Sequence, residues 1–230
     1  MDQSKSTWYD TILNLDEPLS EWSATPSLLC KTQTELLQNS ENYLPSVPTS
    51  DCRRHTSTAL RVLIQSTRDI MEQCTDDSFD MLRKVIESTD HTYFVLTQHP
   101  LSFAQKRLFL KENVWTGIRF SSTAGLPFGT SELLKTVPNS NWFFHIDLCE
   151  QTNNIPFELF QGVKWLVLDC DVAHKPKAAR PSLPCIRHLI RRADEACVPV
   201  YMSQRLQAML PASDQRNELP DKQKVRMSIA

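Results

Sequence analysis

The sequence predicts an α/β architecture, a partial parallel β/α barrel of the TIM type that stops short of closure. Three observations predict it. Five short hydrophobic runs of β character, at 59–65, 93–97, 114–120, 142–146 and 165–168, each lead into polar residues. Helix-length stretches follow several of these runs. Hairpin signals between the runs are scarce, so successive strands need crossover connections and should pair in parallel. About seven strands can be counted, which favours an incomplete ring over an eight-fold one.

The elements follow in order. A first strand fits residues 8–15 and a helix fits 27–38, while 42–54 is rich in Pro, Ser and Thr and reads as loop. The run 60–65 is a compact strand. Residues 76–89 place Phe79, Met81, Leu82, Val85 and Ile86 at helical spacing. A strand over 92–96 precedes Pro100, and a helix is expected over 101–110. Strand 114–120, a short helix over 131–137 and strand 142–146 come next. Strand 165–168 opens into a long loop through Pro181, followed by a helix over 185–196 and a strand over 198–202. The residues from 211 onward are polar and weakly periodic. The expected division is therefore an irregular N-terminal segment packed on the barrel (1–57), a barrel core (58–205) and a flexible tail (206–230).

A chain of 230 residues suits one large domain with a substantial core. A net charge of −2 gives no global attraction for nucleic acid or anionic membrane. No apolar run approaches the roughly 20 residues that span a bilayer, and the opening residues are polar, so the expected compartment is the cytoplasm. The seven cysteines are scattered, the closest pair being twelve positions apart, which predicts free thiols. Cys52 and His55 form a single C-x-x-H pair, and one pair does not make a metal site. Only four glycines occur, Gly125 and Gly129 being the nearest pair with no G-K-[ST] after them, so a phosphate-cradling loop is disfavoured. No metal and no cofactor are expected.

Several segments carry a resemblance. Trp8, Asp10 and Asn14 match a W-x-D-x-x-x-N opening, and residues 66–70 are similar to an S-x-S-D-L strand end. His91 through Pro100 reads HTYFVLTQHP beside a pattern H-T-F-x-V-L-T-K-R-P, and Asn113 through Ile118 reads NVWTGI beside N-V-W-x-G-V. Ala179-Arg180-Pro181 and the stretch 197–201 match a later A-R-P loop and a G-V-P-F-F strand. Over residues from about 6 to 205 the chain resembles the radical-SAM-like proteins of phages and mobile elements, related in architecture to spore photoproduct lyase. The resemblance implies a partial TIM barrel. It also implies three closely spaced cysteines after the opening, to hold an iron–sulfur cluster with one iron left for S-adenosylmethionine. Here the matching stretch, 16–30, holds Cys30 alone. A G-G-E-S-G loop is replaced by Asp169, Cys170, Asp171, Val172 and Ala173, and a Lys-Arg pair by Gln98-His99. The expectation is a pseudoenzyme: a non-catalytic binding or regulatory protein of a phage, plasmid or similar element.

Polar strand tips supply the candidate pocket. Thr67, Asp69, Thr97, His99, Ser121, Asp147 and Asp171 should share one end of the sheet. With Asp10 and Asn14 from the resemblance and Arg180 as an anion contact, they complete the expected rim. Asp147 and Asp171 with His99 suggest a second reading, acid–base or hydrolytic catalysis, although polar tips also serve as ordinary loop starts and helix caps. His145, inside an apolar strand, is expected to be a satisfied core side chain. Lys175, Lys177, Arg187, Arg191 and Arg192 form the main basic concentration and suggest a third reading, nucleic-acid contact. No exposed aromatics interleave with them, so nucleic acid is not the favoured partner. An unidentified protein or small molecule is, and no membrane is expected.

Overall fold

The computed structural model describes residues 9–16, 59–66, 68–106, 111–137, 140–149, 155–170 and 180–220. Seven strands pair in parallel and in sequence order, β1 (Thr11–Asn14), β2 (Arg61–Gln65), β3 (Thr92–Thr97), β4 (Val114–Ser121), β5 (Trp142–Asp147), β6 (Leu166–Asp169) and β7 (Val200–Met202). The sheet curls into a half-barrel, the partial β/α barrel that the alternation predicts. Its strands are aromatic and β-branched and are buried on both faces, which is why they read as near-continuous apolar runs.

Helices cover the outer face. They are α1 (Ile70–Gln73), α2 (Asp76–Glu87), α3 (Pro100–Gln105), α4 (Thr130–Thr136), α5 (Phe157–Phe160), α6 (Leu183–Glu195) and α7 (Gln204–Gln207). Helix α2 begins where the Thr75 hydroxyl accepts from Ser78 N, and it buries Phe79, Leu82, Val85 and Ile86 on one stripe. Helix α6 is capped by Ser182 and turns Ile186, Leu189, Ile190 and Ala193 inward. These stripes and the outward residues of the strands, such as Val62, Val95, Ile118, Phe144 and Leu168, form the main core.

The expected elements recur with shifted ends, because strand pairing extends to the polar tips. Thr97, Ser121, Asp147 and Asp169 are the last residues of their strands. Three short helices, α1, α5 and α7, are too brief to show helical periodicity in sequence. The helix expected over 27–38 lies outside the described residues. Within the segment 206–230, expected as a flexible tail, the described residues run to 220, and the stretch 216–218 pairs with the sheet. Asn217 forms an antiparallel bridge with Tyr201, Met202 N donates to Arg216 O at 3.1 Å, and Glu218 N donates to Val200 O at 2.9 Å. The indole of Trp165 donates to Glu218 O at 2.9 Å. These bonds satisfy backbone groups that an edge strand leaves open, so a polar segment without periodicity is held by its main chain. No helix among the described residues is long and apolar enough to cross a membrane.

Candidate functional site

Alternation along each strand sends every second side chain into the half-barrel. At the floor, Phe94, Trp115, Phe143, Trp165 and Tyr201 form an aromatic cluster with Leu63 and Val167. Phe143 and Trp165 have ring centroids 5.3 Å apart, and Phe94 and Trp165 are 5.8 Å apart. Gly117 makes room for this packing. A Cβ there would lie 2.5 Å from both Leu96 Cδ2 and Phe143 Cζ.

Two residues further along β4 and β5, the same face carries Arg119 and His145, paired across the strands in register. One step nearer the carboxyl ends, Asp147 pairs with Ser121 and with Asp169. Parallel strands bring all these tips to one rim, and a cavity of about 900 Å³ opens there. Its walls include Gln65, Arg68, Asp69, Leu96, Gln98, Arg119, His145, Asp169 and Tyr201. A cavity of that size, lined mostly by polar side chains with Leu63, Leu96 and Tyr201 of the aromatic cluster beneath, suits a small polar molecule.

His145 is 7% exposed. Burial pushes its pKa down to about 4; Asp169 and Asp147 act against that shift and Arg119 adds to it. The imidazole is therefore neutral at physiological pH. Asp69 is held differently. Its carboxylate accepts from Met71 N at 2.9 Å, from the Thr97 hydroxyl at 3.1 Å and from Gln98 N, so it caps α1 and ties it to the tip of β3. Thr97, only 1% exposed, also accepts from His99 N at 2.9 Å.

The predicted site residues thus have mixed fates. Asp69 is on the cavity wall, and Thr97 supports it from below. His99 is exposed and does not line the cavity itself, although its Nε2 lies 3.4 Å from a carboxylate oxygen of Glu72, which does. Asp147 stands at the rim near His145, while Asp171 lies outside the described residues. Asp10 holds β1 to β2 rather than facing the cavity. It accepts from Arg61 N at 2.8 Å and from the guanidinium at 2.7 and 3.2 Å. Burial alone would raise the Asp10 pKa, but the Arg61 bonds and charge bring it below the ordinary carboxylate value. Asn14 ends β1 opposite Gln65. Arg180 lies half-buried before α6 and is not a cavity wall.

The described arginines of the basic concentration have partners within the protein. Arg187 forms a fork on Asp214, with bonds of 2.8 to 3.2 Å. Arg191 stands 4.0 Å from Glu195, and Arg192 stacks 5.1 Å over the Phe157 ring. Lys175 and Lys177 lie outside the described residues. Among the described residues no group of three His, Cys, Asp or Glu side chains converges as a metal site.

Arg119 was absent from the expected rim, Asp169 was read as part of a polar strand tip but not as a pocket residue, and His145 was expected only as core. It is buried as expected, yet it is also a cavity wall. Strand parity is the signal that finds these groups: Arg119 lies four residues after Trp115 and His145 two after Phe143, on the inward face. Comparison with protein-family models, curated proteins and solved structures returned no match.

Proposed function

We propose that this chain is a binding protein that takes a small polar molecule into the rim cavity of the half-barrel, without carrying out radical chemistry. The observation that carries the reading is the cavity itself, polar at its walls and closed below by packed aromatics, with Arg119, His145 and Asp169 turned into it. A histidine near pKa 4 supports binding over catalysis, because an efficient general base has a pKa close to the working pH. The acid–base alternative through Asp147, Asp171 and His99 draws less support, since neither His99 nor Asp147 lines the cavity. The nucleic-acid alternative is weakened by the internal partners of Arg187, Arg191 and Arg192.

The proposal extends to origin: a radical-SAM-like ancestor in a phage, plasmid or other mobile element whose descendant kept the barrel as a binding scaffold. Two of the resembling segments, HTYFVLTQHP and NVWTGI, fall on the adjacent strands β3 and β4, and the cysteine spacing for a cluster does not occur anywhere in the sequence. Two measurements test these readings. A small-molecule library screened by ligand-observed NMR, with hits mapped by hydrogen exchange, should give protection at the ends of β4, β5 and β6. Hits that protect only other surfaces, or no hits, refute the cavity reading. Anaerobic iron–sulfur reconstitution should yield no stoichiometric cluster; a [4Fe–4S] spectrum with matching iron content overturns the loss of radical chemistry.

A further inference from the structure

We infer that the cavity selects a small organic anion, its phosphate or carboxylate group held by the Arg119 guanidinium. The inference rests on the cavity reading above and narrows it to a ligand class. Arg119 projects from the inner face of β4 into the cavity, on the same rung as His145. Among the described residues its guanidinium makes no ion pair and no hydrogen bond, and the same holds for Arg68 on the wall. Several arginines elsewhere on the protein are engaged, Arg61 on Asp10, Arg83 on Asp80 and Arg187 on Asp214, while Arg180 has a buried Nε without a hydrogen-bond partner among the described residues.

The wall also holds carboxylates, and their bonds decide which sign the cavity offers a ligand. Asp69 accepts from two main-chain N–H groups and a hydroxyl. Asp169 accepts from Cys170 N at 2.7 Å, and Glu72 faces His99. Their acceptor capacity is partly spent on the protein, while the donors of Arg119 are unspent. A guanidinium presents parallel N–H groups that match a carboxylate or phosphate edge; Arg119 is exposed at the rim, so its donors are open to an entering ligand and the pairing is screened by solvent. Neutral His145 beside it adds a polar contact without adding charge. A volume of about 900 Å³ has room for a sugar phosphate or a mononucleotide.

The test uses three probes on one carbon frame: ribose 5-phosphate, ribonate and ribose. Each is titrated by calorimetry into the full chain at neutral pH and low salt, with wild type, Arg119→Gln, Arg119→Lys and Arg191→Gln as a control outside the cavity. The expected result is at least about tenfold tighter binding of one or both anions than of ribose, the size of one lost charged hydrogen-bond pair. Whichever anion binds tighter identifies phosphate or carboxylate as the group. Arg119→Gln should reduce that anion to the level of ribose, Arg119→Lys should fall between, and Arg191→Gln should match wild type. Equal binding of all three probes by wild type overturns the anionic class and leaves the cavity reading standing. An anion preference that survives in both Arg119 variants, each confirmed folded by thermal melting, overturns the assignment to Arg119. Absence of saturable binding for every probe counts against both readings.

Discussion

Gly117 shapes the cavity floor by lacking a side chain. Leu96 and Phe143 occupy the space its Cβ would need, so Gly117→Ala forces the floor apart. The expected cost is about 1–3 kcal/mol, as for other overpacked cores, read as a lower urea midpoint with unchanged slope. Asp69 acts through its three accepted bonds. Asp69→Ala leaves the buried Thr97 hydroxyl and two N–H groups short of an acceptor and should cost roughly 1–3 kcal/mol. His145 gives a pH signature. Its pKa is about 4 in the folded protein against about 6.5 when unfolded, so between those values the unfolded chain binds the extra proton. Stability should therefore fall as pH drops from 6.5 toward 4, by up to about 3 kcal/mol from this group, and level off below. Urea melts of His145→Gln across that range should show a shallower loss than wild type; parallel curves would refute the buried neutral imidazole.

At the level of elements, most helices are set by local chemistry and the C-terminal strap by its pairing. Thr75 starts α2, and Thr75→Ala should cost about 1 kcal/mol through the lost cap. The strap at 216–218 has no such local code. It is fixed by its bonds to β7 and to the Trp165 indole, and by Arg187 on Asp214 ahead of it. Ending the chain at Leu210 should bare the β7 edge, speed amide exchange in β6 and β7, and promote self-association at high concentration. Unchanged exchange there would mean the strap adds nothing to the edge.

Across the whole molecule the net charge is −2, and on α6 the internal partners of Arg187, Arg191 and Arg192 leave little to draw a polyanion. Titration of labelled DNA and RNA at two salt concentrations should show equal, negligible binding by wild type and by an Arg187/Arg191/Arg192→Ala variant. Tight, salt-sensitive binding by wild type that the variant loses would restore the nucleic-acid reading. A small anion escapes this argument, because it meets the local field of the cavity wall, where Arg119 and Arg68 stand beside Asp69, Glu72 and Asp169, and not that of the α6 face.

The sequence by itself determined the half-barrel: strand length, helical stripes and the scarcity of hairpin turns are local patterns, and parallel order follows from crossover length. It also located the rim, since polar residues end the strands. Which polar residues serve the cavity was decided by tertiary structure. Asp69, Thr97 and Asp10 read as site residues; Asp69 does line the cavity, but Thr97 only supports it and Asp10 clamps two strands, because partners distant in sequence, Asp69 and Arg61, hold them. His145 read as core and Arg119 attracted no notice, because one strand alone cannot say which of its faces will be enclosed. Curling of the sheet chose the inner face, and with it placed an arginine, a neutral histidine and an aspartate around one opening.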